Sequence, residues 1–237
     1  MVGLISAAVA ASAATAAWAV RSPRSSLVAS SVHRGARDRR SIALTFDDGP
    51  SESTPELLDA LESFGVRATF FQCGASAERL SSITRQVSRA GHEIGNHTQT
   101  HAPLWMRSAA FIYGELAQAQ RTLQEIHGKA PIWFRAPYGV RWPGLGDAQH
   151  RLGLMGVTWT TLALDWKLDA ASIVARLEKG AIPGAIFCLH DGRELASKPD
   201  IRETIGSVRR VMPILLDQGW RFETVSEILC PTNSLNV

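Results

Sequence analysis

Apolar and small residues alternate along Ser41–Asp47: Ile42, Leu44 and Phe46 are large, Ala43 and Thr45 are small, and Gly49-Pro50 closes the run. A period of two predicts a strand, and the Gly-Pro pair predicts the turn that ends it. The pattern then changes to a helical one. Thr54-Pro55-Glu56 supplies an N-cap and a first-turn proline, Leu57, Leu58, Leu61 and Phe64 fall on one face, and Gly65 stops the helix. Residues 68–73 predict the next strand, 78–90 a helix closed by Gly91, 92–95 a third strand and 108–127 a long helix. Ile132-Trp133-Phe134 leads into Arg135-Ala136-Pro137-Tyr138-Gly139. Beyond that turn, 144–152 predicts a helix, 155–161 and 162–165 strands, 170–179 a helix, 184–190 a buried strand, 201–218 the last long helix, and Arg221-Phe222 opens a final strand.

Strands alternating with helices at this spacing predict an α/β fold with a parallel sheet, and about seven such units predict a barrel. Residues 41–230 form the single domain of this reading, with 231–237 as a tail. No internal repeat or low-complexity stretch interrupts it.

The first forty residues differ from the rest. Residues 2–20 carry no charge, a length close to what a spanning helix needs, although Ala and Ser make it weakly hydrophobic. Segment 1–22 therefore reads as a membrane anchor, with a secretory signal or a plain buried helix as alternatives. A basic linker over 23–40 follows. Residues 1–40 hold six arginines against Asp38, a balance of +5, which leaves −2 for residues 41–237 out of the formal +3. The sequence pI of about 9.0 thus says little about the domain, and no nucleic-acid partner is indicated. Cys73, Cys188 and Cys230 are odd in number and far apart. They read as buried small residues or free thiols, not as a disulfide scaffold or zinc knuckle.

In βα barrels chemistry sits at the C-terminal ends of the strands. Asp47, Asp48, His97, Arg135, Asp165 and His190 all fall there. Asp47 and Asp48 are adjacent, so at a strand end they can face different tasks. His97 and His101 are four apart, a spacing that lets two imidazoles reach one ion. A carboxylate from another strand end completes three ligands and leaves a position open. Zn2+ is the default for such donors, and Co2+, Ni2+, Mn2+ or Fe2+ also fit.

TFDDGPS, HTQTH, RAPYG, LDW and LH appear in that order over residues 41–229. In this the chain resembles the polysaccharide deacetylases, the NodB-homology group or carbohydrate esterase family four. The resemblance implies a distorted (β/α)7 barrel and metal-dependent removal of acetyl from N-acetylated sugars, less often from O-acetylated ones, with an acetylated polysaccharide or oligosaccharide as partner. It implies Asp47 as catalytic base, with Asp48, His97 and His101 as metal ligands. Arg135 would pair with Asp47, the backbone N–H of Tyr138 would meet the oxyanion, and His190, charged by Asp165, would protonate the leaving amine. Trp166 and Leu189 would line the groove, while Trp105, Trp142 and Trp159 suit a core equally well. Many relatives carry an acidic residue three positions before the Asp of the DW motif, where this chain has Leu162. Two alternative readings stand beside this one: an amidase for a non-sugar C–N bond on the same scaffold, and a glycan-binding protein without turnover. A wall-polymer substrate would call for a membrane-associated or secreted enzyme, whereas arginines following the apolar segment favour the cytoplasmic side for what comes after it.

Overall fold

β2 (Ser41–Asp47) is buried along its whole length and pairs on both edges, which makes it the centre of the sheet. Its alternation has a structural counterpart. Ile42, Leu44 and Phe46 pack outward with Phe70, Phe187 and Leu189 against the helices, whereas Ala43 faces inward with Phe71, Val157 and Ile186. Each fully buried Leu or Phe side chain in that outer layer contributes about 1.5–3 kcal/mol.

The computed structural model describes residues 14–230. After helix α1 (residues 14–21) come β1 (Ser31–Val32), β2, α2 (Thr54–Glu62), β3 (Thr69–Gln72), α3 (Gly74–Arg79), α4 (Ser81–Arg89), β4 (Glu93–Asn96) and α5 (Ala109–His127). The second half continues with β5 (Trp133–Phe134), a 3-10 turn (Pro137–Gly139), α6 (Leu145–Leu152), β6 (Met155–Val157), β7 (Thr161–Leu162), α7 (Ala170–Gly180), β8 (Ala185–His190), α8 (Arg202–Asp217), β9 (Arg221–Glu223) and α9 (Val225–Leu229). The sheet runs β1-β6-β5-β4-β3-β2-β8-β7, with β9 also on β2, and every pair is parallel. A curled parallel sheet wrapped by helices is the distorted barrel expected.

Three details differ from the pattern read along the chain. The helix expected over 78–90 is two helices, because Leu80 leaves helical geometry at φ −117, ψ 44. The strands expected over 155–161 and 162–165 shorten to β6 and β7. The basic stretch 23–40, expected as a linker, packs onto the sheet: β1 pairs with β6, Gly35 N–H donates to Gly184 O at 2.8 Å, and Arg39 forks onto Glu223 at 2.9–3.3 Å. No helix among the described residues is long and apolar enough to cross a membrane. Most of the 1–22 segment expected as an anchor, and the 231–237 tail, lie outside the described residues.

Candidate active site

A cleft of about 600 Å³ opens at the C-terminal ends of the strands. β2 delivers Asp47 and Asp48 to its floor in two different ways. Asp47 is the last inward residue of the strand, directly beside His190 in the β2–β8 register. Asp48 follows at φ 71, a left-handed conformation that turns its carboxylate away from the strand's alternation and costs a non-glycine residue about 1–3 kcal/mol. The turn is held from beneath. A Cβ on Gly49 would fall on the Asp191 carboxylate, and one on Gly192 on the backbone of Asp48.

Asp48 faces two imidazoles. His97 Nε2 lies 3.3 Å and His101 Nε2 3.1 Å from the same oxygen, Oδ1, and all three residues are buried. His97 Nδ1 is engaged with the carbonyl of Arg135 at 2.8 Å, which fixes the tautomer and presents Nε2 to the site. His101, at φ 55, has a buried Nδ1 with no hydrogen-bond partner in the structure. Burial alone would raise the Asp48 pKa, but its contacts with the His101 and His97 imidazoles outweigh it and hold the carboxyl far below the usual range. Asp48 Oδ2 accepts from the Glu194 N–H at 3.0 Å. One ionised carboxylate and two directed Nε2 atoms, all within 4.8 Å of one another, form a donor set that suits a divalent ion.

Asp47 is bound differently. Arg135, 1% exposed, donates from Nη1 to Asp47 Oδ1 at 2.6 Å and to Thr45 Oγ1 at 2.7 Å, from Nε to Val157 O and from Nη2 to Thr158 O. Its plane lies 4.1 Å over the Phe71 ring. A buried guanidinium satisfied on every side is a rigid partner for a carboxylate. Asp47 Oδ2 accepts from Cys188 Sγ at 3.4 Å, and burial pushes that thiol well up, so it stays S–H.

Opposite Asp47, His190 Nδ1 contacts Asp165 Oδ1 at 2.8 Å. Asp165 also accepts from the His190 N–H at 2.8 Å and from Thr204 Oγ1 at 2.7 Å. Burial pulls the His190 pKa down, yet the hydrogen bond and charge of Asp165, with the charges of Asp47 and Asp48, carry it above 6.5. Burial of Asp165 opposes its ionisation, but the bond to His190 leaves its own pKa lowered. Trp166 stands edge-on to the His190 ring, 5.0 Å between centroids. Across the cleft Tyr138, at φ 59, packs against His101 and Trp105 and donates its hydroxyl to Glu194 Oε1 at 3.1 Å.

The structure thus gathers Asp47, Asp48, His97, His101, Tyr138, Trp166 and His190 along one cleft, with Arg135 and Asp165 directly behind. Leu189, expected to line it, does not. Successive strand residues face opposite ways, so between inward Cys188 and His190 it lies fully buried in the helix-side core. Cys188, Leu162, Arg193 and Glu194 also line the cleft, and Trp159, which suits groove or core equally from sequence, lines it too. The first sits two residues before His190 on the same face, a signal the strand period contains; the 193–194 loop has no pattern of its own. Asp191, next to His190 at the end of the strand, is fully buried; burial raises its pKa to about 7, although Thr54 donates to it at 2.6 Å.

The profile of the family described as polysaccharide deacetylase matches residues 34–157. The chain is 34% identical over 196 residues to a chitooligosaccharide deacetylase of Azorhizobium caulinodans, covering 79% of this chain and 93% of that protein. It is 34% identical over 192 residues to a peptidoglycan-N-acetylglucosamine deacetylase of Bacillus cereus, covering 79% and 87%. A crystal structure of a peptidoglycan N-acetylglucosamine deacetylase is similar at a TM-score of 0.78 and 30% identity, over 84% of this chain and 92% of that one.

Proposed function

The chain belongs to the polysaccharide deacetylase family, and from that premise we propose that it hydrolyses the acetamide of N-acetylated sugars in a chitin- or peptidoglycan-like glycan, with a divalent metal held by Asp48, His97 and His101. The observation that carries the reading is the approach of both Nε2 atoms to one Asp48 oxygen at 3.1–3.3 Å, beside a second aspartate tied to a buried arginine. Such an ion supplies Lewis acidity toward the acetyl carbonyl and toward water. Zn2+ is the default occupant for this donor set.

The remaining steps belong to the chain's own residues. Asp47 takes a proton from the attacking water, and the hydrogen bond from Arg135 holds its carboxyl group aimed for that task. The backbone N–H of Tyr138 donates to the oxygen that gains charge as the carbonyl becomes tetrahedral. His190 delivers a proton to the departing nitrogen, supported by the ionised Asp165 behind it. Water is thereby added across the C–N bond, giving acetate and a free amine. Trp166 and Tyr138 offer ring faces to the sugar on the two sides of the cleft. Asp47→Asn keeps the shape and removes the base, so acetate release from N-acetylglucosamine oligomers falls by roughly 10²–10⁴-fold while bound metal, measured by elemental analysis, is unchanged. Undiminished release would contradict the role of Asp47.

A further inference from the structure

Beside the catalytic cleft lies a second, larger groove of about 1020 Å³, and Trp159 and Leu162 line both. Its wall is cationic. Arg24, Arg34 and Arg37 come from the N-terminal stretch, Arg176 and Lys179 from α7, and His33 sits among them. No aspartate or glutamate lines it among the described residues. Arg34 and Arg176 are fixed through Nε, onto Pro183 O at 2.9 Å and onto Leu162 O, which leaves their outer nitrogens for other partners. Arg24, Arg37 and Lys179 make none of the hydrogen bonds or ion pairs found among the described residues. Burial lowers the His33 pKa, and the charges of Arg24, Arg37 and Arg34 lower it further. Three guanidinium groups thus act on one site without an opposing carboxylate.

We propose that this groove binds the phosphate-bearing part of an acetylated sugar, so that the enzyme accepts a sugar phosphate or diphosphate in addition to neutral oligomers. The inference rests on reading the adjoining cleft as the deacetylase site. Five permanent cations exceed what a single carboxylate would balance, whereas a phosphate or diphosphate brings more charge and several acceptor oxygens to fork-shaped guanidinium donors. The groove adjoins the cleft, with Trp159 and Leu162 common to both walls. That arrangement suits a ligand whose sugar reaches the catalytic residues better than it suits adsorption to a flat anionic membrane.

The test titrates inorganic pyrophosphate into the metal-loaded full chain and into R24Q/R37Q/K179Q, whose three exposed side chains can change without disturbing the fold. The expected result is a dissociation constant raised roughly tenfold or more in the variant, with wild-type binding weakened by salt. In parallel, KM for acetate release from N-acetylglucosamine 1-phosphate rises by a similar factor in the variant, while kcat, and KM for the neutral dimer, stay as they are. Comparing nucleotide-linked with lipid-linked N-acetylglucosamine diphosphate then tells which carrier the groove accepts. Equal pyrophosphate affinity in the two chains overturns the proposal. So does a variant that loses only its flotation with phosphatidylglycerol-containing vesicles, which assigns the patch to a membrane surface. Absence of acetate release from every substrate by wild type would count against the deacetylase reading, and the pyrophosphate titration would still judge the groove.

Discussion

At Asp48, Tyr138 and His101 the backbone takes positive φ values of 71, 59 and 55, and each of these residues lines the cleft. Strain of this kind persists where the surroundings over-determine it, and here it aims a carboxylate and an imidazole at one point. The acid side of the site is set by charge instead. His190 has its pKa above 6.5 because Asp165, with the charges of Asp47 and Asp48, outweighs burial, so the imidazolium that would protonate the amine persists to a higher pH than an isolated histidine would allow. Activity should therefore fall as pH rises through the raised His190 pKa. Asp165→Asn leaves burial as the dominant influence and lowers that pKa, moving the alkaline limb of the kcat profile toward acid and reducing kcat near neutrality. A limb that stays in place would show that His190 does not supply the proton.

At the scale of elements, two glycines make the active turn possible. Gly192, just past the end of β8, lets the 191–194 loop pass against the backbone of Asp48. Gly192→Ala should push Asp48 off its histidines, weakening metal binding by about tenfold or more with only a modest loss of thermal stability; metal titration of the purified variant decides this, and unchanged affinity would contradict it. Much of this level was legible in the chain. The period of two along β2, the Gly-Pro turn and the glycines after the helices mark the alternation of strand and helix, and the strand ends bring Asp47, Asp48, His97, Arg135, Asp165 and His190 to one end of the sheet. What escaped has physical reasons. Leu80 breaks a helix with no Gly or Pro to announce it. Leu189 neighbours His190 in sequence, but the strand period sends the two to opposite faces. Glu194, whose N–H holds Asp48, comes from a loop brought near by β8 alone.

Taken whole, the molecule includes its basic N-terminal stretch. Val32 O accepts from the Thr158 N–H at 2.8 Å, and Arg39 reaches Glu223 as well as Glu227 O at 2.7 Å and Cys230 O at 3.1 Å. A chain beginning at residue 41 should lose roughly 2–5 kcal/mol of stability, read as a lower urea midpoint; an unchanged midpoint would return this stretch to the status of a linker. The joint requirement for the ion and its ligands is the centre of the account. The direct measurement is acetate release from N-acetylglucosamine oligomers by the full chain, before chelation, after chelation and after Zn2+ is restored, with Asp48→Ala in parallel. Release that disappears on chelation, returns with Zn2+ in the wild type and never returns in Asp48→Ala is the predicted result; release that survives chelation, or that Asp48→Ala retains, would contradict it.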